Sequence, residues 1–324
     1  MLTKPNGLAH HRDLRFAVRC DVEHSVIAVY DLEYWQPTYA VTVFLMAAER
    51  RRIELGVPNM EIIIRPGTQG AGFGPYKHWP REREKKGGRI DFRALRGGLG
   101  NIVLPMCHML PSATKVTVLP DRDPWLDQWW APGHTFQMGD FVGAYAEGIR
   151  PLRAPHQWQK SQMITITLRE CGGLLWPARD SNFREWVRAG LELQRRGYSV
   201  TVVRDTTKSQ EPIKGLAIAP DASDFLETRA NLYASSALNL FVSNGPAWFC
   251  MALDAPMIMF RPACDKANAN SSRAAMASFG VVEGQQMPGA PPHQRLHWNF
   301  TDKADIIINA VEEYFAHAQV ESPV

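Results

Sequence analysis

The stretch from Val242 to Pro256 places a small polar turn, Ser243-Asn244-Gly245-Pro246, between an apolar strand-like run and a helix-like one. A helix that starts directly at the end of a strand turns its first backbone N–H groups outward. With the helix dipole behind them, they form a site for phosphate. Gly245 allows a ligand close to the backbone, and Pro246 suits a first helical turn. A second group with chemical potential is Asp121-Arg122-Asp123, which follows the apolar run Val116 to Leu119. Two carboxylates at i and i+2 suit a hard divalent cation, although Pro120 breaks the strand just before them. No G-x-G-x-x-G follows a strand, and there is no Walker-type loop, H-E-x-x-H or G-x-S-x-G. The ten His show no metal-ligand spacing with Cys.

The elements that must carry these residues alternate between strand and helix patterns. In the first half, Ser25 to Tyr30, Glu61 to Arg65 and Lys115 to Leu119 read as strands. Tyr39 to Leu55 reads as a helix, with Thr38 as N-cap and Gly56 as stop. A second helix is expected from Phe92 to about Leu110, bent where Gly97-Gly98 and Pro105 fall. Residues 67–90 read as a long surface loop. In the second half, Met163 to Leu168, Tyr198 to Val203, Leu238 to Val242 and Pro256 to Phe260 read as strands. The apolar set Phe183, Trp186, Val187, Gly190 and Leu191 predicts an amphipathic helix that stops at Gly197. Further helices are expected at Phe225 to Ser236, Ala247 to Leu253 and Asp305 to Ala318. The pattern fades between Trp125 and Lys160. This predicts two domains, 1–155 and 156–324, each α/β and built on a parallel sheet.

Composition supports a globular chain. The 324 residues are 45% hydrophobic and 21% charged, which excludes intrinsic disorder and leaves material for two cores. No run approaches the roughly 20 apolar residues of a membrane span. The start has no apolar segment of signal-peptide type, and five Cys without a C-x-x-C pair argue against a disulfide framework. A reducing, cytoplasmic compartment is therefore expected. The net charge of +3 is unevenly placed: residues 1–160 hold 21 basic and 16 acidic side chains, residues 161–324 hold 15 and 17. A nucleic-acid-binding protein would be more basic and more clustered, so no nucleic-acid partner is expected.

The segment 243–256 resembles the donor-binding segment of GT-B-type glycosyltransferases, especially the heptosyltransferase-like group. There a Ser-Gly-Pro turn opens a helix before the next strand. The chain departs from that pattern at Asn244, and Ala247-Trp248 stand where a His often follows the Pro. The resemblance covers roughly residues 160–260. It implies two Rossmann-like domains facing a cleft, with a nucleotide-sugar donor held by the C-terminal one and a glycan or lipid-linked acceptor by the other. The implied activity is hexosyl or heptosyl transfer, independent of metal and of any cofactor. Arg169, at a strand's C-terminal end beside Glu170, would neutralise the departing diphosphate. Ser181 and Asn182 would donate to phosphate or cap a helix, and Asp205 and Thr206 would bind ribose or base. Ser243, Asn244, Gly245 and Pro246 complete the donor set.

An inverting transferase also needs a base for the acceptor hydroxyl. Asp31 and Glu33 follow a first-half strand and meet that need. His78, on the 67–90 loop between Tyr76 and Trp79, is a third candidate. The positive segment Arg81 to Arg89 fits an anionic acceptor at a membrane surface. Three other readings remain open. Asp121-Arg122-Asp123 matches the metal-binding motif of GT-A-type enzymes. A two-domain cleft also serves nucleotide-sugar epimerases or hydrolases, and a transferase-like fold can act as a non-catalytic binding protein.

Overall fold

The computed structural model describes residues 8–10, 16–19, 24–32, 35, 37–66, 97–121, 136–156, 159, 161–171, 177–265, 272–299 and 301–320. The chain divides into two compact units, Met1–Arg153 and Ala154–Val324. No described helix is long and apolar enough to cross a membrane.

The first unit holds a five-stranded sheet in the order β1-β2-β3-β4-β5. Its strands are β1 Leu8–His10, β2 Phe16–Arg19, β3 Ser25–Asp31, β4 Asn59–Arg65 and β5 Ala113–Val118. The three expected strands pair in parallel. The purely parallel expectation needs correction, because β1 and β2 extend the sheet antiparallel at its β3 edge. Helix α1, Val41–Glu54, has nine successive buried residues from Val41 to Glu49, so it is enclosed rather than amphipathic. Thr38 does not cap it by side chain. Its carbonyl and hydroxyl instead accept from Val41 and Ala40 in the turn before the helix. Gly56, at φ +65°, ends it as expected.

Within the expected second helix, Leu99–Val103 is a π-helical turn followed by the short helix α2, Leu104–His108. Pro105 lacks the N–H that a regular helix would give to the Asn101 carbonyl, and the wider turn absorbs that gap. Helix α3, Met138–Ala146, packs on α1, with Arg50 ion-paired to Glu147 at 2.5 Å.

The second unit holds a six-stranded, wholly parallel sheet in the order β11-β10-β9-β6-β7-β8. These strands are β6 Met163–Thr167, β7 Ser199–Val203, β8 Ala217–Ile218, β9 Leu238–Val242, β10 Met257–Phe260 and β11 Gln294–His297. From its first strand the unit runs outward through β7 and β8, then returns to the other side of β6 with β9, β10 and β11. This is the doubly wound order. Its switch point, where the loops after two adjacent strands diverge, lies between β6 and β9.

Its helices are α4 Phe183–Arg195, α5 Pro220–Asp224, α6 Leu226–Ser235, α7 Gly245–Ala252, α8 Arg273–Ser278 and α9 Ala304–Val320. The buried face of α4 is Trp186, Ala189, Gly190 and Leu193. Phe183 and Leu191, read as apolar-face residues from the sequence, are 39% and 41% exposed. The i, i+3, i+4, i+7 stripe starts at Trp186. It packs into a cluster with Ile164, Val200, Leu240, Ile307 and Val311.

A Cβ at Gly98 would lie far inside van der Waals distance of the Pro37 carbonyl oxygen, whereas one at neighbouring Gly100 would meet nothing within 4 Å. Gly98→Ala should therefore cost roughly 2 kcal/mol or more through overpacking. Gly100→Ala should be neutral or slightly stabilising. Urea unfolding of both variants checks this, and equal stabilities would refute the close approach.

Candidate functional site

The carboxyl ends of β6, β7, β9 and β10 carry the polar residues of the second unit, and arginines dominate them. Arg169 follows β6, Arg204 follows β7 and Arg261 follows β10. Arg179 lies on the 3-10 turn Pro177–Arg179, further along the β6 loop.

Arg261 adopts φ +49°, a left-handed conformation that a side-chain-bearing residue rarely takes. Its guanidinium donates to the carbonyls of Asp180 at 2.6 Å, Arg179 at 3.2 Å and Ala178 at 3.4 Å. Its Nε lies 3.6 Å from Asp302 Oδ1. Asp302 is itself buried and accepts from the Asn182 N–H at 2.6 Å and Trp186 Nε1 at 2.7 Å. The turn 178–180 is thereby held between β10 and the start of α4. What it positions is Arg179.

Arg179 bridges the switch point, donating from Nη2 to the Ser243 carbonyl at 2.9 Å. Its Nε is sealed from solvent without an acceptor, and no carboxylate pairs with it among the described residues. Burial pulls it down to about 10, and Arg169 and Arg261 nearby add like-charge repulsion. Ser243 is 7% exposed, and its hydroxyl has no hydrogen-bond partner among the described residues. These two residues share a cavity of about 490 Å³ with Arg261, Cys264, Asp265 and Arg273. Arg273 is already engaged, to Asp265 at 2.6 Å and Glu283 at 3.5 Å.

The expected donor residues do not all meet there. Only Ser243 lines that cavity. Asn244 is the N-cap of α7, and its Oδ1 accepts the Ala247 N–H at 2.9 Å. That bond corrects the picture of a helix start with several free N–H groups. Ala247 is capped and Pro246 has none, which leaves Gly245 within the first three positions.

Arg169, Glu170 and Ser181 line a second hollow of about 480 Å³ with Asp180, Arg204 and Lys208. Arg169 is ion-paired with Asp180 rather than with adjacent Glu170. Glu170 binds Arg204 through both carboxylate oxygens, at 2.6 and 3.0 Å, with Lys208 Nζ at 3.7 Å. The Ser181 hydroxyl accepts the Arg169 N–H at 3.0 Å and does not cap α4. Asn182 occupies the N-cap position of α4 without a side-chain bond. Asp205 accepts weakly from the Glu170 N–H at 3.4 Å, and Thr206 donates to the Ser223 carbonyl at 3.2 Å. Neither lines either hollow.

In the first unit, Asp31 ends β3 as expected. It is 1% exposed, with its carboxylate 3.5 Å from Arg65 Nε at the paired position of β4. Glu33, Tyr76, His78, Trp79 and Asp123 lie outside the described residues, and Asp121 is exposed after β5. Among the described residues no group of three or more His, Cys, Asp or Glu could hold a metal ion.

Sequence reasoning passed over Arg179 and Arg261. Arg261 satisfies the criterion that flagged Arg169, an arginine at a strand's carboxyl end, and was legible at the end of β10. Arg179 gives no such signal, because it sits in mid-loop and gains its place only through Arg261.

No family model matches the chain, and no curated protein matches it. Solved structures do align with it. The Escherichia coli heptosyltransferase WaaC with ADP-2-deoxy-2-fluoro heptose is 11% identical, covering 88% of this chain and 99% of that one at a TM-score of 0.41. The family 9 glycosyl transferase of Veillonella parvula is 10% identical over 90% and 97%, at 0.39. The iron-containing dodecameric glycosyltransferase TibC of enterotoxigenic E. coli is 13% identical over 92% and 80%, at 0.45.

Because burial disfavours the Arg179 charge and no carboxylate pairs with it among the described residues, Arg179→Met should leave the unliganded protein as stable as before or raise its Tm by a few degrees. Asp180→Asn, which removes the negative charge facing Arg169 and adds to the positive excess around Arg179, should lower Tm. Differential scanning calorimetry of both variants decides: a clear loss of stability in Arg179→Met would show that its charge is compensated.

Proposed function

We propose that the protein is a glycosyltransferase that binds a nucleotide-activated sugar in its C-terminal unit. The observation carrying this reading is the guanidinium of Arg179, which no carboxylate pairs with among the described residues and which is fixed to the Ser243 carbonyl across the switch point of a doubly wound sheet. Open α/β sheets bind ligands outside the carboxyl ends of their strands at that point. A guanidinium there suits a diphosphate, whose oxygens accept charge-assisted hydrogen bonds in a forked geometry.

As the bond between sugar and diphosphate breaks, negative charge accumulates on the leaving oxygen. Arg179, already positioned and desolvated, stabilises that charge more in the transition state than in the ground state. The Ser243 hydroxyl and the Gly245 N–H supply neutral donors beside it. Positive charge for the leaving group then comes from arginine, and we assign the reaction no metal.

The finer parts of the reading rest on the sequence resemblance. The acceptor, a glycan or lipid-linked glycan, is assigned to the N-terminal unit, and the transfer to the hexosyl or heptosyl type. For the acceptor-side base we retain Glu33 and His78. The burial of Asp31 against Arg65 fits an ion pair better than proton transfer.

Titration calorimetry against a panel of nucleoside diphosphates tests the proposal. Binding of at least one is expected, with Arg179→Met weakening it by tenfold or more, about 1.5–3 kcal/mol, while nucleoside binding changes little. Absence of binding to every member at millimolar concentration would sink the reading. Equal losses for nucleoside and nucleoside diphosphate would remove Arg179 from the phosphate site.

A further inference from the structure

Four free thiols are described, and three sit where they are chemically quiet. Cys107 and Cys250 are buried in the two units, where burial pushes the thiol up to about 12 in the first and well above its usual range in the second. Cys171 is partly buried, donates to Asp205 Oδ2 at 3.6 Å, and is pushed up to about 11, chiefly by burial. Cys264 occupies a different setting. It is partly exposed on the wall of the 490 Å³ cavity, with its Sγ 3.6 Å from the Ala178 carbonyl.

Two independent features make that cavity a ligand site rather than a wall with a cysteine in it. Ser243 is more than nine-tenths buried and lines the cavity, and its hydroxyl makes no hydrogen bond among the described residues. The charged lining among the described residues is Arg179, Arg261 and Arg273 with Asp265; Arg261 and Arg273 have carboxylate partners, so the uncompensated positive charge is that of Arg179. Such a pocket concentrates small anions at the thiol.

We propose that Cys264 is a covalent modification site for disulfides of small anionic thiols, and that the adduct occupies the space an anionic ligand of the cavity would take. The exclusion of ligand rests on the anion-site reading above. In the exchange, the Cys264 thiol gives its proton to water and its sulfur attacks one sulfur of the incoming disulfide. The S–S bond of the reagent breaks as the new one forms, and its other half leaves as a thiolate. The Cys264 sulfur is oxidised and the departing sulfur reduced, so no further oxidant takes part. A thiol reductant reverses the step.

The test uses the full-length protein with two aromatic disulfides, dianionic dithiobis(nitrobenzoate) and neutral dithiodipyridine, and mass mapping of each labelled cysteine. The ratio of Cys264 to Cys171 labelling rates should be about tenfold higher for the anionic reagent. That preference should shrink at high salt and in Arg179→Met, and the salt arm needs no variant. Inorganic pyrophosphate should slow labelling of Cys264 and leave Cys171 unaffected. Equal ratios for the two reagents, or an unlabelled Cys264, would overturn the site. Labelling indifferent to pyrophosphate would overturn the shared occupancy. Charge-selective labelling in a protein that binds no nucleoside diphosphate would uphold the modification site while sinking the transferase reading.

Discussion

Like-charge crowding at the switch point of the second sheet is the constraint around which the C-terminal unit is arranged. Arg169 and Arg261 share a neighbourhood with Arg179, and both raise the cost of its charge. Two of them are answered within the protein. Arg169 has Asp180, and Arg261 has Asp302 together with three backbone carbonyls. Arg179 has one carbonyl and no carboxylate among the described residues. A largely desolvated cation that no carboxylate answers among the described residues is among the costlier features a fold can keep. Its persistence is explained if the missing anion belongs to a ligand.

The surrounding structure is organised to hold that arrangement in place. Asp302 joins α4 to Arg261 by accepting from the Asn182 N–H and from the indole of Trp186, one of the largest fully buried side chains. Arg261, at its positive φ, holds the 178–180 turn through hydrogen bonds to its three carbonyls. On the neighbouring strand, the buried Arg204–Glu170 pair ties the end of β7 to the end of β6. Successive residues of the β6 loop then line different hollows, Ala178 and Arg179 the one beside Ser243, Asp180 and Ser181 the one beside Arg204.

Much of the second unit was legible because its strands are short apolar runs closed by turn residues and its helices end in recognisable stops. Met163 to Leu168, Tyr198 to Val203 and Leu238 to Val242 all contain strands, and Gly197 takes φ +95° after α4. The edge strands β8, of two residues, and β11 escaped, since so short a run carries no usable period. In the first unit β1 and β2 escaped for the same reason. The turn from β9 into α7 at Ser243 was legible, but its hydrogen bonding was not. Whether Asn244 offers its amide to a ligand or to Ala247 depends on the local path of the chain. Likewise, the sequence neighbour of Arg169 is Glu170, while its partner is Asp180, eleven positions away. Partnerships of this kind are set by loop geometry, and no spacing rule reaches them.

The same geometry decides where anion affinity can come from. An exposed arginine gives a phosphate little, because binding must first strip its water and order its long side chain. Arg179 has incurred much of that cost already: its Nε is dry, its Nη2 is tied to Ser243, and the turn bearing it is fixed by Arg261. An incoming anion also relieves the repulsion from Arg169 and Arg261, which a lone surface arginine could not offer. The stability forgone in the unliganded fold therefore returns as affinity, and it returns selectively for ligands dense in negative charge. A neutral sugar reaching the cavity would leave the guanidinium as unsatisfied as before.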